Sequence, residues 1–556
     1  MEFVRSRFFP WILLLILSLL PLSDFLRPGL PITHDGIDHV ARIANFYQNL
    51  SEGNLIPRWA GNLNWGYGHP VLMFLYPLPS YFASFFHFLG FSFIDSVKLV
   101  FAVSFILSGF TMYLWVREFL GKEAGVASSV LYLFAPYRFV DLYVRGAIGE
   151  HVAFIFPPLV LYFLLKLSKT KLNFFDKKFF LLITGGSLSL AGFILSHNAI
   201  SLLFAPFILF YAFFLLWQNK NFKRLFFSFL SLLVLGALIS AFFWFPAFFE
   251  GKYTLRDIVT AGEYAKRFVE FRSLLYSPWS FGGTGQFSVQ IGIVHILTVL
   301  SVPFVYLKLK SNKKILPLFL FTIFYLLFSI YLMLPQSNFL YNILTTLQKL
   351  QFPWRFLSVT VFTTALFGGF LIYAVPNKKR LATLSLLIVS SLFLTASFWK
   401  ANGFLQKDDS FFQKVYKGTT DTGESSPVWS VRFMEKEPKD QIEIIEGEGS
   451  IKKVSGTNTS HAYEIDVQTK NARVKENTLY FPGWKIFADG KSLDLEFQDP
   501  RHRGLMTFYL PKGNHKVYAE FSETKLRQFS NYLTFASILA LFTWASLIFL
   551  GTRRFL

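Results

Sequence analysis

Apolar runs of about 20 residues, broken by short polar connections, dominate the first 400 positions and return near the end. A run of that length is what a helix needs to cross a bilayer. The pattern places spans at 8–26, 99–116, 124–137, 152–165, 179–195, 199–217, 225–249, 289–307, 315–334, 356–375, 381–399 and 529–550. The run "VLMFLYPLPSYFASFFHFLG" (71–90) is also long enough, but Pro77 and Pro79 interrupt it, and a bent, partly embedded helix is expected there. From 400 to 527 the period changes to two: "QIEIIEGEG", "HAYEIDVQT" and "NTLYFPGWKIFADGK" alternate apolar and polar positions between turn residues. The "ADGK" at Ala488 is a hairpin signal. The expected fold is therefore an α-helical polytopic membrane protein of about 12 transmembrane helices with a small β-sandwich near the C-terminus. Three parts follow: a transmembrane domain (1–399), a β-rich domain (400–527) and a last membrane helix (528–556).

Charge orients this picture. The 556 residues carry a net charge of +20. The basic residues gather in alternate connections: Arg5/Arg7, Arg117/Lys122, Lys166/Lys169/Lys171/Lys177/Lys178, Lys220/Lys223/Arg224, Lys308/Lys310/Lys313/Lys314, Lys378/Lys379/Arg380 and Arg553/Arg554. With a cytoplasmic N-terminus every inside connection is basic, as the positive-inside rule requires. Residues 400–527 are then extracytoplasmic, in a multi-pass protein of the cell membrane. The basic excess reads as topology, not as a nucleic-acid surface. No small-x-small cleavage site follows the first run, so a retained helix is expected. The absence of cysteine excludes disulfides and thiolate metal sites.

On this topology the ionisable residues of the outer connections share one face. The first carries His34, Asp35, Asp38, His39, Arg42, Arg58 and His69; the second, "YRFVDLYVRGAIGEHVAF", carries Arg138, Asp141, Arg145, Glu150 and His151. "SHNA" supplies His197 and Asn198, and "LQFPWRFL" supplies Trp354 and Arg355. A charge at bilayer depth costs about 2.5–3.5 kcal/mol, so such groups usually line a wet cavity and have a task. The plainer reading is that they are solvated loop residues. His34 and His39 lack a clear third zinc ligand. "DGIDHVARIANFYQNL" predicts an amphipathic helix along the membrane surface, with Asp35, Asp38/His39 and Arg42 on its polar face.

Taken in order, "THDGIDHVARI", "EGNLIPRW", "GYGHPVLMFLYPLPSYFASFFHFLG", "LFAPYRFVDLYVRGAIGEHVAF", "LSHN" and "LQFPWRFL" resemble the 6-pyruvoyl-tetrahydropterin-synthase-related integral membrane family over most of residues 1–400. "YFPGWKIFADGK" is similar to the outer domain of YfhO-type membrane proteins. Both families look like GT-C glycosyltransferases, multi-span enzymes that use lipid-linked sugar donors on the outer membrane face. The resemblance implies a catalytic carboxylate at Asp35 or Asp38, with Asp35 favoured by its context, and a second acid at Glu150, with Asp141 as its substitute. His39, Arg42, Arg58, Asp141, Arg145, His197, Asn198, Trp354 and Arg355 form the expected substrate-binding set. The implied partners are a polyprenyl-phosphate sugar donor, a glycan, lipid or protein acceptor, and membrane lipid. The acceptor hydroxyl would attack the anomeric carbon with inversion, a carboxylate taking its proton while arginines receive the phosphate. Asp35 with Glu150 could hold a divalent cation such as Mg or Mn; GT-C enzymes exist with and without a metal, and the sequence leaves both open. Two other classes compete. A flippase or transporter of lipid-linked glycans also needs a charged cavity, but neither an internal repeat nor charge pairs within the spans is evident. A non-catalytic scaffold presenting a glycan-binding β domain is the other.

Overall fold

The computed structural model describes residues 8–170, 173–174, 176–282 and 286–551. Arg5, Arg7, Lys171, Arg553 and Arg554 of the charge pattern, and Gly283 to Gly285, lie outside the described residues. Among those described, ten helices are long and apolar enough to cross a membrane: Phe9–Leu26, Phe93–Leu120, Ile148–Ser168, Lys177–Ser196, Asn198–Trp217, Phe222–Ile239, Leu316–Met333, Pro353–Ala374, Asn377–Phe398 and Lys525–Ile548.

Two expected spans give no long helix, each for a local reason, and a third (225–249) is cut at Ser240 into Phe222–Ile239 and Ala241–Phe249. The run at 124–137 is helical only over Lys122–Leu133; Pro136 then forces a new start. The run at 289–307 splits into Ile293–Leu300 and Val302–Leu309, with Pro303 just past the break. The 71–90 run is bent as expected. A short turn, Val71–Phe74, ends at an extended Leu75, and the Leu78–Phe88 helix starts beyond Pro77.

Four of the basic connections meet at one end of the bundle. Lys166 pairs with Glu118 at 3.3 Å, Asn219 donates to the Ser168 carbonyl at 3.0 Å, and Gln218 donates to the Lys314 carbonyl at 3.0 Å. The connections rich in Asp, Glu, His and Arg meet at the other end, where the first loop bonds the backbone of Val144 and Arg145, and Glu150 meets Arg145 and Arg355.

The C-terminal β region forms one six-stranded antiparallel sheet. Its strands are β3 (Ile442–Glu446), β4 (Gly449–Gly456), β5 (Ser460–Leu479), β6 (Trp484–Ala488), β7 (Lys491–Ser492) and β8 (Leu505–Phe521), in the order β3-β5-β8-β6-β7 with β4 also on β5. A small separate ribbon pairs β1 (Leu30–Pro31) with β2 (Phe404–Leu405). β5 and β8 are long enough to serve two halves of the domain, and their register shifts between Val467 and Asn471. The Asp489-Gly490 pair has positive φ at both residues, 51° and 79°, the geometry that a two-residue hairpin loop demands. Alternate residues of β5, β6 and β8, among them Ile465, Val474, Ile486, Phe508 and Ala519, are buried in one apolar core with Trp59 and Phe74 of the helical part. The sheet is thus packed onto the bundle. Arg58 bonds Glu523, two residues past β8, at 2.7 Å, and Arg527 of the last helix bonds Glu250 at 2.7 Å and donates to the Pro482 carbonyl between β5 and β6 at 2.6 Å.

The helix Gly36–Ser51 departs from the expected surface amphipath. His39 to Phe46 are all buried, His39 and Arg42 included. One side packs on the Leu78–Phe88 and Phe93–Leu120 helices. The other is covered by the chain from 404 to 420 on its way to the sheet.

Candidate active site

Two connections build the centre of the site. The backbone N–H groups of His34 and Asp35 donate to the carbonyls of Val144 and Arg145, each at 2.9 Å. This close approach requires glycine at 146. Its φ is +66°, and a Cβ there would lie 2.2 Å from the Thr33 hydroxyl. Just before it, Val140–Arg145 forms a π-helical turn, a wide form often found at functional sites. Asp141 and Arg145 both end inside the protein.

Arg145 organises a buried charge cluster. It bonds Asp141 Oδ1 at 2.7 Å and Glu150 Oε1 at 2.9 Å. Tyr137 donates its hydroxyl to Glu150 Oε2 at 2.8 Å, and Arg355 Nε reaches Glu150 Oε1 at 3.3 Å. The Arg145 guanidinium lies 4.3 Å over the Trp354 ring. His197 Nε2 stands 3.9 Å from Glu150, its ring stacked on Tyr76 at 4.7 Å. Asp141 and Glu150 are both completely buried. Burial first, and the Glu150 charge second, push the Asp141 carboxyl well above the usual carboxylate range. Glu150 is the carboxylate that both arginines reach.

Asp35 is different in kind. Solvent reaches its side chain, and its carboxylate makes no hydrogen bond or ion pair among the described residues. It is nonetheless crowded by protein. Burial holds its carboxyl above the usual range, against the opposing pull of Arg145, Arg42 and His34. Asp38 is already engaged, accepting the Tyr416 hydroxyl at 2.7 Å. Arg42 donates Nε to Thr420 Oγ1 at 3.2 Å, donates again to the Thr420 carbonyl, and lies 3.3 Å from His39 Nδ1. Burial keeps the His39 imidazole neutral, well below its ordinary range. Thr420 itself sits at φ +62°, a strained conformation for a β-branched residue.

The structure thus gathers Asp141, Arg145, Glu150, His197, Trp354 and Arg355, with Asp35, Asp38, His39 and Arg42 joined to them through the Arg145 backbone. Asn198 lies at the edge, its amide donating to the Phe74 carbonyl at 3.2 Å. Arg58 does not join them. Its donors go to Glu523, the Phe242 carbonyl and Asn531, so it ties the start of the last membrane helix to the Ala241–Phe249 helix. Sequence reasoning missed Tyr137, Tyr416 and Thr420. Tyr137 stands in a motif already singled out, one residue before Arg138. Tyr416 and Thr420 carry no local signal.

The residues do not fit a cation held between Asp35 and Glu150. Both Glu150 oxygens are occupied by Arg145, Arg355 and Tyr137. Among the described residues no group of three or more Asp, Glu or His could hold a metal ion.

Fold and site together define an integral membrane protein with a buried charge cluster at one end of a helical bundle, onto which a β-sheet is packed. The chain belongs to the 6-pyruvoyl-tetrahydropterin synthase related membrane-protein family, whose domain matches residues 72–402. An uncharacterized protein of Lactococcus lactis subsp. cremoris (strain MG1363) is 27% identical over 255 residues, 44% of this chain and 40% of that relative. The chain therefore spans well under two thirds of that relative's length. Among solved structures, the arabinofuranosyltransferase AftD from Mycobacteria is similar at TM-score 0.41 and 16% identity, over 74% of this chain and 27% of AftD. ArnT from Cupriavidus metallidurans bound to undecaprenyl phosphate gives 0.41 and 12%, over 73% and 68%. The Archaeoglobus fulgidus oligosaccharyltransferase in complex with Zn and sulfate gives 0.42 and 15%, over 73% and 58%.

Proposed function

We propose that this protein is a membrane glycosyltransferase that moves a sugar from a polyprenyl-phosphate donor to an acceptor hydroxyl on the extracytoplasmic face, with inversion. The observation that carries the reading is the contrast between Asp35 and its neighbours. Asp35 is a solvent-reachable, unpartnered carboxylate beside a cluster of arginines, while the other acids nearby are all engaged. The motif resemblance in the first loop points to the same residue.

The chemistry follows from the charges. The acceptor O–H loses its proton to Asp35 as its oxygen bonds to the anomeric carbon, and the bond from that carbon to the phosphate oxygen breaks. General-base assistance of this kind is worth roughly 10²–10⁴ in rate. The departing polyprenyl phosphate gains charge, which the guanidinium groups of Arg145, Arg355 or Arg42 meet with charge-assisted hydrogen bonds. Glu150 holds Arg145 and Arg355 in place, and Trp354 supports Arg145 from below. The clustering of basic connections at the opposite end of the bundle supports an extracytoplasmic site.

The test is incubation of the purified protein with a panel of labelled polyprenyl-phosphate sugars, scoring polyprenyl phosphate released. Release that disappears in Asp35→Asn supports the reading. No release with any donor sinks it and favours the transporter or scaffold.

A further inference from the structure

Where the loop after the Gly36–Ser51 helix meets the sheet lies a polar cleft of about 320 Å³, separate from the charge cluster. Small-molecule sites run roughly 300–1,000 Å³. One wall is the loop from Trp59 to Gly68; the other comes from β4, β5, the turn between them and the chain just before β3. The walls are fixed against each other. The Gly61 N–H donates to Asn458 Oδ1 at 2.9 Å, and the Leu479 N–H to the Tyr67 carbonyl at 2.9 Å. The cleft is therefore preformed.

Two features of its lining call for an occupant. Asn64 and Trp65 are consecutive non-glycine residues at positive φ, 54° and 62°. Each such residue costs on the order of 1–3 kcal/mol. Asn64 has a structural reason, since its Oδ1 takes the Met434 N–H at 2.9 Å. The turn places Trp65 half-buried on the cleft wall, with the Lys417 ammonium 5.0 Å over its ring. The second feature is His461. Its Nδ1 lies 2.8 Å from Glu476 Oε1, a fully buried carboxylate oxygen that also takes Tyr463, Thr478 and Gln441. The ring is thus held fast in the wall, and its Nε2 has no partner among the described residues. The amides of Asn62 and Gln441 and the Lys453 ammonium complete the polar lining.

A flat aromatic face ringed by amide, imidazole and ammonium groups suits a sugar, whose C–H face stacks on a ring while its hydroxyls both donate and accept. We propose that this cleft binds a saccharide, and, resting on the function proposed above, that the saccharide is the acceptor. Val415 lines the cleft, and the next residue is Tyr416, whose hydroxyl holds Asp38 three positions from Asp35. A glycan seated on Trp65 runs along this segment toward the open carboxylate.

Full-length protein in nanodiscs, with no donor present, is titrated calorimetrically with maltotriose, mannotriose, chitotriose and digalacturonate. At least one should bind. Trp65→Ala should weaken that binding roughly tenfold, the size of an aromatic anchor's contribution, and Trp65→Phe should recover most of it. If Trp65→Ala fails to fold, Lys453→Glu on the opposite wall must produce the loss instead. No binding by any of the four, or binding that these changes leave intact, overturns the proposal. Donor turnover by the wild type is measured separately. A protein that binds a saccharide through Trp65 but releases no polyprenyl phosphate retains the cleft and refutes its acceptor role. One that releases polyprenyl phosphate and binds no saccharide keeps the transferase reading and refutes the cleft.

Discussion

Arg145→Met removes the hub of the buried cluster while keeping an unbranched apolar side chain of similar reach. Glu150 is completely buried and would retain the Tyr137 hydroxyl, the more distant Arg355 contact at 3.3 Å and His197 at 3.9 Å. It would lose the 2.9 Å bond to Arg145, and Asp141 would lose its 2.7 Å bond. Breaking one partner of a buried ion pair costs about 3–5 kcal/mol, because the remaining charge is left desolvated. The lost stacking on Trp354 adds about 0.5–2 kcal/mol. For a chain this large each kcal/mol moves the melting temperature by about 1–2 °C, so a fall on the order of 4–14 °C is expected. The assay is the apparent melting temperature in one fixed detergent, followed by intrinsic tryptophan fluorescence. Replacing both ends, as in Arg145→Met with Glu150→Met, removes the stranded charge, and apolar replacement of a whole buried pair is often close to neutral. The double variant should therefore recover at least half of the loss. A single variant that melts within about 1 °C of wild type, or a double variant less stable than the single, refutes the view that Glu150 is a charge anchored by Arg145.

Asp35→Asn should cut donor turnover at least about a hundredfold, in line with loss of a general base. The same change should leave stability equal or slightly higher, because burial raises the Asp35 carboxyl in the folded state. That raised value favours folding at low pH, and the benefit disappears as pH rises through it, so the ionised group at neutral pH is a cost that asparagine removes. The acid limb of the wild-type rate profile should lie above the ordinary carboxylate range near 3.9, and a limb below it argues against Asp35 as the base. Asp38→Asn should cost much less, since Asp38 is occupied by Tyr416; a reversed order of severity reassigns the role. Arg355→Lys keeps the charge but loses the planar fork that reaches Glu150 and the Leu350 carbonyl, so donor use should weaken in a protein that still folds; unchanged donor kinetics in Arg355→Ala rules the role out. Single cysteines at Ser311 and Ser460 should label from opposite sides with an impermeant thiol reagent, and labelling from the same side sinks the proposed orientation.

The bundle was legible because a bilayer makes length and apolarity sufficient signals. The ten long helices fall on ten of the expected runs. The two runs that failed each contain a proline at the break, Pro136 and Pro303, a signal present in the sequence but outweighed by mean hydropathy. The "ADGK" hairpin was legible because positive φ at two residues admits few sequences. The site was half legible. Its first- and second-loop residues announce themselves as charges in an apolar context. Tyr416 and Thr420 do not, since each meets its partner across 378 residues. Arg58 shows the converse error: a loop arginine resembles a substrate ligand until its partner Glu523, 465 residues away, is brought against it.

Asp35 also shows how the site differs from an ordinary helix start. It occupies the N-cap of the Gly36–Ser51 helix, where an aspartate normally accepts a backbone N–H and contributes roughly 1 kcal/mol. Here the cap bond is not made. With φ −110° and ψ −3°, Asp35 lies near the bridge region instead of the extended conformation that aims a capping side chain at the helix. That conformation is imposed from outside, by the bonds of His34 and Asp35 to the backbone of 144 and 145, which the glycine at 146 makes possible. The second loop thus forces the first to give up a local stabilisation and to leave a carboxylate turned from the helix it begins. A purely structural aspartate would gain nothing from this arrangement. A proton acceptor would, because its lone pairs stay available to a substrate while Arg145, supplied by the same loop, stands close enough to oppose the effect of burial on its charge.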